Sequence, residues 1–185
     1  AGLKPGIGKS EFRNAIEANR TEEVLHSFVP SVGDCIFIPA GTVHALGEGL
    51  VIAEIQQASN TTYRLFDWNR VGKDGQPRPL HIEQSLDVTN FARGPVSPQQ
   101  PQSTEQPGRE RLVECAKFVL ERCTLTESQP LGGNDRFHLI VVIEGTASIG
   151  TESFSLGETC LLPAAASEAA IEPQGRAVVL DIWLS

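Results

Sequence analysis

The sequence predicts an all-β protein with a small helical insertion, built from two related modules of the jelly-roll or β-barrel kind. Three observations carry this. A twelve-residue phrase, Gly33-Asp34-Cys35-Ile36-Phe37-Ile38-Pro39-Ala40-Gly41-Thr42-Val43-His44, recurs in grammar at Gly157-Glu158-Thr159-Cys160-Leu161-Leu162-Pro163-Ala164-Ala165-Ala166-Ser167-Glu168. An internal repeat of that kind marks two related units. The second half alternates short apolar runs with Gly, Pro and Ser turns, an all-β pattern. Helical periodicity is confined to residues near 10–28.

Taken in order, Ser10 reads as a helix N-cap with Glu11 in the first turn. Phe12, Ala15 and Ile16 form one apolar stripe. Thr21 is expected to cap a second short helix, with Glu22 and Glu23 at its start, Val24, Leu25 and Phe28 inward, and Pro30 as its stop. His26 reads as a surface or capping residue. Gly33-Asp34 is a turn, Cys35 to Ile38 a buried strand, and Pro39-Ala40-Gly41 a second turn. Val43, His44 and Ala45 begin the next strand. On this stretch alone His44 is either a metal ligand held by a rigid turn or a core histidine bonded to a carbonyl.

Residues 50–57 read as a strand in which Glu54 and Gln56 share a parity with Leu50 and Ile52. Ser59-Asn60-Thr61-Thr62 bends the chain, and Tyr63-Arg64-Leu65-Phe66-Asp67-Trp68 resumes a β-prone run. Lys73-Asp74-Gly75 is a hairpin turn. His81, Glu83 and Ser85-Leu86-Asp87-Val88 follow. Residues 94–109 change composition, with four Pro and four Gln between Gly94 and Gly108. They read as a linker between modules at 1–93 and 110–185. Strands are expected at 112–120 and 137–143.

The chain of 185 residues is 40% hydrophobic, enough for a core in each module. A net charge of -8 argues against a nucleic-acid partner, though it leaves room for a locally basic pocket that takes a phosphorylated substrate. No apolar run is long enough to span a bilayer, and no signal peptide is recognisable. The four cysteines form no C-x-x-C pair, and Cys35 and Cys160 are expected as buried thiols. A reducing, cytoplasmic setting follows. The sequence contains no Met and opens at Ala1-Gly2-Leu3-Lys4 as if within a longer chain.

Gly-acid-x4-Pro-x-Gly-x2-His resembles the second motif of cupins. The first copy keeps the histidine; the second has Glu168 there and Ala165 for glycine, so the first module reads as functional and the second as degenerate. From Gly2 to about Phe91 the chain resembles the later half of the catalytic domain of type I mannose-6-phosphate isomerases. The phrases that carry this are Gly2-Leu3-Lys4-Pro5-Gly6, Val32-Gly33-Asp34 through Ala45, Glu54-Ile55-Gln56-Gln57, Ser59-Asn60-Thr61-Thr62-Tyr63-Arg64-Leu65-Phe66-Asp67-Trp68, and Arg78-Pro79-Leu80-His81. The last third is similar to that family's C-terminal β-domain.

The resemblance implies a zinc-dependent isomerase acting on mannose 6-phosphate and fructose 6-phosphate. Of four zinc ligands in the family, only the motif histidine maps here, onto His44; the other three have no counterpart in these residues. The acid ten residues on falls on Glu54, and the reaction-centre arginine ten beyond that falls on Arg64. The chemistry suits these types. An enediolate needs a Lewis acid or fixed cations at its oxygens. Arg64 stays charged and offers a planar donor fork. Glu54 orients His44, carries a proton or holds Arg64, and a structural Arg64–Asp67 pair is the plain alternative. Lys4, Lys73 and Arg78 are candidate phosphate contacts; His81 reads as structural. Gly132, His138, Glu144 and Glu168 roughly occupy cupin-motif positions in the second module, with Ile140 where a ligand histidine would stand, so a filled, metal-free barrel is expected. One ligand of four predicts a poor catalyst on its own. A fragment, a chain completed by a missing N-terminal portion, and a non-catalytic sugar-phosphate-binding or regulatory cupin are the three explanations. Open strand edges predict association, as a homodimer or with that portion.

Overall fold

A computed structural model describes residues 1–59, 61–68 and 70–185. Asn60, in the expected polar bend, lies outside the described residues. The chain divides into two units, Ala1–Pro98 and Gln99–Ser185.

The first unit is organised by helices. Helix α1 (Lys9–Glu17) buries Phe12, Ala15 and Ile16, the expected stripe. Its N-cap is Gly8 rather than Ser10, because Glu11 reaches back and its Oε2 accepts the Gly8 N–H at 3.2 Å. Helix α2 (Thr21–Val24) starts one residue early, with Arg20 at the cap and Thr21 buried. Helix α3 (Ile82–Val88) was not anticipated from the sequence. Its seven residues carry little periodicity, and tertiary contacts decide it. Leu86 joins Phe12, Ile16 and Leu3 in a small core. Arg13 on α1 grips the Glu83 carboxylate with both Nη atoms at 2.5 and 2.7 Å, and Lys9 bonds Asp87 at 2.8 Å.

The strands expected at 35–38, 50–57 and 63–68 are not formed as ladders. Among the described residues, this unit has only isolated bridges, at Gly2↔Pro95, Leu3↔Leu25 and Val71↔Pro77. An extended run becomes a strand only when a neighbour takes its N–H and C=O groups. Residues 50–57 make no backbone–backbone hydrogen bond among the described residues. Val51 and Ile52 are 103% and 50% exposed, so both faces of the run are uncovered. Turns fare better: Gly33-Asp34 and Lys73-Asp74-Gly75 form as expected, the latter closed by Gly72 N–H to Gln76 O at 2.7 Å.

The second unit contains both antiparallel sheets. Its strands are β1 (Gln102–Ser103), β2 (Arg109–Glu114), β3 (Val119–Leu125), β4 (Gln129–Leu131), β5 (His138–Glu144), β6 (Thr146–Ile149), β7 (Glu152–Ser155), β8 (Thr159–Leu162), β9 (Ala169–Pro173) and β10 (Ala177–Trp183). One sheet has the order β1-β2-β3-β10-β5-β8, the other β4-β9-β6-β7. Part of the Pro/Gln-rich stretch is thus ordered into the larger sheet, because β1 pairs with β2 and Pro107 O accepts from Gln129 Nε2 at 3.2 Å. Cys123, Leu125, Ile140, Val142, Ala147, Ile171, Ala177 and Val179 fill the space between the sheets. The fully buried thiol is Cys123; Cys35 and Cys160 are only half-buried. Burial pushes the Cys123 thiol up to about 12, so it is inert at neutral pH.

One end of that interior is charged. Side chains alternate along a strand, so Glu121 on β3, Asp181 on β10 and His138 on β5 share the inward parity of Cys123, Val179 and Ile140. Arg109 lies opposite Cys123 and donates to Asp181 at 3.0 Å and Glu121 at 3.5 Å. His138 Nδ1 meets Asp181 at 2.7 Å. A buried pair is weak evidence for net stability, but removing one member strands the other. Asp181→Ala should therefore cost about 3–5 kcal/mol in urea denaturation, several times the effect of truncating exposed Leu161 on β8.

Candidate functional site

The two copies of the repeated phrase fold alike where it matters for the histidine. In the first, Asp34 N–H donates to Ser31 O at 3.1 Å and the Asp34 carboxylate accepts Ser31 N–H at 2.8 Å. In the second, Glu158 N–H donates to Ser155 O at 2.9 Å and its carboxylate accepts Ser155 N–H at 2.6 Å. The following turns match too: Thr42 N–H to Pro39 O at 3.2 Å, and Ala166 N–H to Pro163 O at 3.0 Å. His44 and Glu168 then occupy equivalent places. The copies differ between the turns, where the second runs as β8 paired to β5 while the first forms no ladder among the described residues.

The turn before His44 is held from outside by residues the sequence reading passed over. Arg93 Nη1 donates to Ala40 O and Thr42 Oγ1, each at 3.0 Å, and to Pro39 O at 3.4 Å. Asn90 N–H caps Gly41 O at 2.9 Å. Gly41 has φ +80°, and a Cβ there would stand 2.6 Å from Val88 O, so the motif glycine is required on two counts. No local pattern announces Arg93, since it acts across some fifty residues of chain. His44 itself is exposed, with Nδ1 2.9 Å from Thr42 O. A carbonyl only accepts, so Nδ1 carries the hydrogen and Nε2 keeps its lone pair for a ligand.

That nitrogen is a donor a metal could use. Among the described residues, no group of three His, Cys, Asp or Glu side chains could hold an ion. A catalytic zinc takes about three protein ligands, so these residues do not by themselves fit one. The cupin-motif positions Gly132, His138, Glu144 and Glu168 of the second unit are not gathered either. His138 faces Asp181 inside, while Glu144 pairs with Arg176 at the surface.

Arg64 and Glu54 are not joined by a hydrogen bond or ion pair among the described residues. Glu54 is exposed and Arg64 half-buried. The plain alternative for Arg64, a pair with Asp67, is not what forms. Buried Asp67 is taken by Arg78, through both Nε and Nη2, and by Arg70 at 2.8 Å. The guanidinium of Arg64 is left without an ion pair among the described residues. Arg78 is therefore committed to a carboxylate, and Lys4 Nζ to the Glu23 carbonyl at 2.7 Å. The buried charges Arg109, Glu121 and Asp181 were also missed. Their signal was present, as charged residues at inward parity within otherwise apolar strands.

Comparison with known proteins shows what the chain is similar to. The family model for the cupin domain of mannose-6-phosphate isomerase matches residues 109–182. Over 179 residues the chain is 33% identical to mannose-6-phosphate isomerase ManA of Bacillus subtilis, covering 92% of this chain and 56% of that protein. Over nearly its whole length the chain is similar to that isomerase. It is also 33% identical over 161 residues to mannose-6-phosphate isomerase of Streptococcus mutans, 84% of this chain and 50% of the relative. The crystal structure of the mannose 6-phosphate isomerase from Bacillus subtilis superposes with a TM-score of 0.84 at 23% identity, over 98% of this chain and 58% of that one, which shows a common fold. The chain spans about half the length of these isomerase relatives.

Asp67 links the Arg64 segment to Arg78, and its two arginines, Arg78 foremost, hold its carboxyl down at about 2. A lowered carboxyl adds stability above its unfolded value of about 4 and loses it as pH falls towards the folded value. Asp67→Asn should therefore melt lower than the parent at pH 6, and the gap should close between about pH 4 and pH 2.

Proposed function

We propose that this chain supplies one part of the reaction centre of an isomerase that interconverts mannose 6-phosphate and fructose 6-phosphate. The observation that carries the reading is Arg64: a half-buried residue whose guanidinium has no counter-charge among the described residues, in a chain that aligns with such isomerases along nearly its whole length. A guanidinium with no carboxylate to hold it is open to a visiting anion. An enediolate or a phosphate is such an anion.

In the proposed reaction the C2 proton of the open-chain aldose leaves, and its electron pair forms the C1–C2 double bond while O1 takes a proton. The O2–H proton then departs as C1 is protonated, giving the C2 ketone. Glu54, free of both His44 and Arg64, is proposed as the proton carrier, and Arg64 as the donor that faces the oxyanion. Lys4 is the readier phosphate contact, since exchanging a carbonyl partner costs little. Arg78 would have to share Asp67. His44 Nε2 is proposed as one ligand of a divalent metal, zinc as the family resemblance implies, with further ligands from outside the groups described here. A bound metal would supply Lewis acidity at the sugar oxygens, and no step above depends on it.

The runs 36–38 and 50–57, unladdered among the described residues, support the further reading that the chain works with the other half of the isomerase sequence. The test is ¹H NMR of mannose 6-phosphate in D₂O, with this chain alone and after adding the first half of the Bacillus subtilis relative. Interconversion with deuterium entering at C1 or C2 is expected in the mixture. It should fall about 10²-fold or more in Arg64→Ala and Glu54→Gln. Binding of the sugar phosphate with no exchange in the mixture would contradict the enzyme reading.

A further inference from the structure

We propose that His81 is the positioning residue for Arg64. This rests on the role given to Arg64 above. Among the described residues, the segment that carries Arg64 has no ladder to hold it, and an arginine facing a developing oxyanion must be fixed to within a fraction of an ångström. Two hydrogen bonds supply what the ladder does not. His81 N–H donates to Arg64 O at 2.7 Å, and Arg64 N–H donates to His81 Nδ1 at 3.2 Å. Both main-chain polar groups of Arg64 are therefore satisfied by one residue.

His81 is itself fixed. It is the N-cap of α3, and its carbonyl accepts Ser85 N–H at 2.9 Å. Helix α3 is seated by Leu86 in the small core and by the Arg13–Glu83 and Lys9–Asp87 pairs to α1. The imidazole lies against the Tyr63 ring at 6.1 Å. Position thus passes from α1 to α3, to His81, to the backbone of Arg64. The bond also selects a tautomer. A backbone N–H only donates, so Nδ1 must hold its lone pair, and the ring hydrogen sits on Nε2. A generic polar residue cannot replace that acceptor. Asparagine can, because its Oδ1 lies near the place of Nδ1; glutamine puts its oxygen one bond further out.

The experiment compares His81→Ala, His81→Asn, His81→Gln and Arg64→Ala, in the complemented isomerase assay and by amide hydrogen exchange of this chain. His81→Ala and His81→Gln should lower kcat about 10²-fold with little change in KM, and should speed exchange of the Arg64 amide. His81→Asn should recover most of both. Equal kcat in the parent and His81→Ala, with Arg64→Ala inactive, would overturn the inference. So would an Arg64 amide that exchanges alike in His81→Ala and parent, whatever the activity. An Arg64→Ala variant that keeps full activity would instead overturn the role of Arg64, and exchange at its amide would still decide whether His81 holds the segment.

Discussion

An extended segment must find a partner for its backbone, and this constraint separates the two halves of the molecule. In the second unit every long run has neighbours. Strand β10 is paired on both sides, with β3 and β5, and the core closes against the smaller sheet. In the first unit, runs of the same apolar character remain unladdered among the described residues. Those are the runs around His44, Glu54 and Arg64. The first unit therefore fixes its important residues by other means, through turns, helix caps and side-chain clamps.

These clamps share a design. Arg93 ties the turn before His44, Asp67 gathers Arg70 and Arg78 beside the Arg64 segment, and His81 brackets Arg64 itself. Arg93 and His81 act on short pieces of backbone 53 and 17 residues away, while Asp67 holds the side chains of its two arginines. Each also uses a side chain with several directed donors or acceptors, which orients as well as anchors. The second unit holds its long runs by ladders, and three of its charged residues, Arg109, Glu121 and Asp181, turn inward. Its counterpart of His44 is Glu168, and its interior is filled with aliphatic side chains and one buried charge cluster.

Much of this was legible in the sequence. The repeated phrase announced two related units, and its turns recur down to the carboxylate that accepts a hydrogen bond three residues back. Phe12, Ala15 and Ile16 were readable as a buried stripe because α1 is amphipathic. Helix α3 was not, since its seven residues owe their state to Leu86 and to ion pairs across some seventy residues. The strands at 50–57 and 63–68 were over-read, because apolar alternation reports a tendency and pairing decides the outcome. Arg93 and His81 were invisible as positioning groups for the same reason: a bond that closes over a long stretch of chain leaves no local pattern. Arg78 read as a substrate contact because sequence cannot show that Asp67 already holds it.

Among the described residues, the segments bearing the proposed reaction-centre residues lack ladder partners, and on the function proposed above they gain them from the other half of the isomerase sequence. Residue-resolved amide hydrogen exchange tests it most directly. In the chain alone, amides at 36–38 and 50–57 should exchange almost unprotected while those of β3, β5 and β10 exchange slowly, and adding the first half of the Bacillus subtilis relative should slow the former. Protection at 50–57 equal to that of β10 in the chain alone would contradict the account.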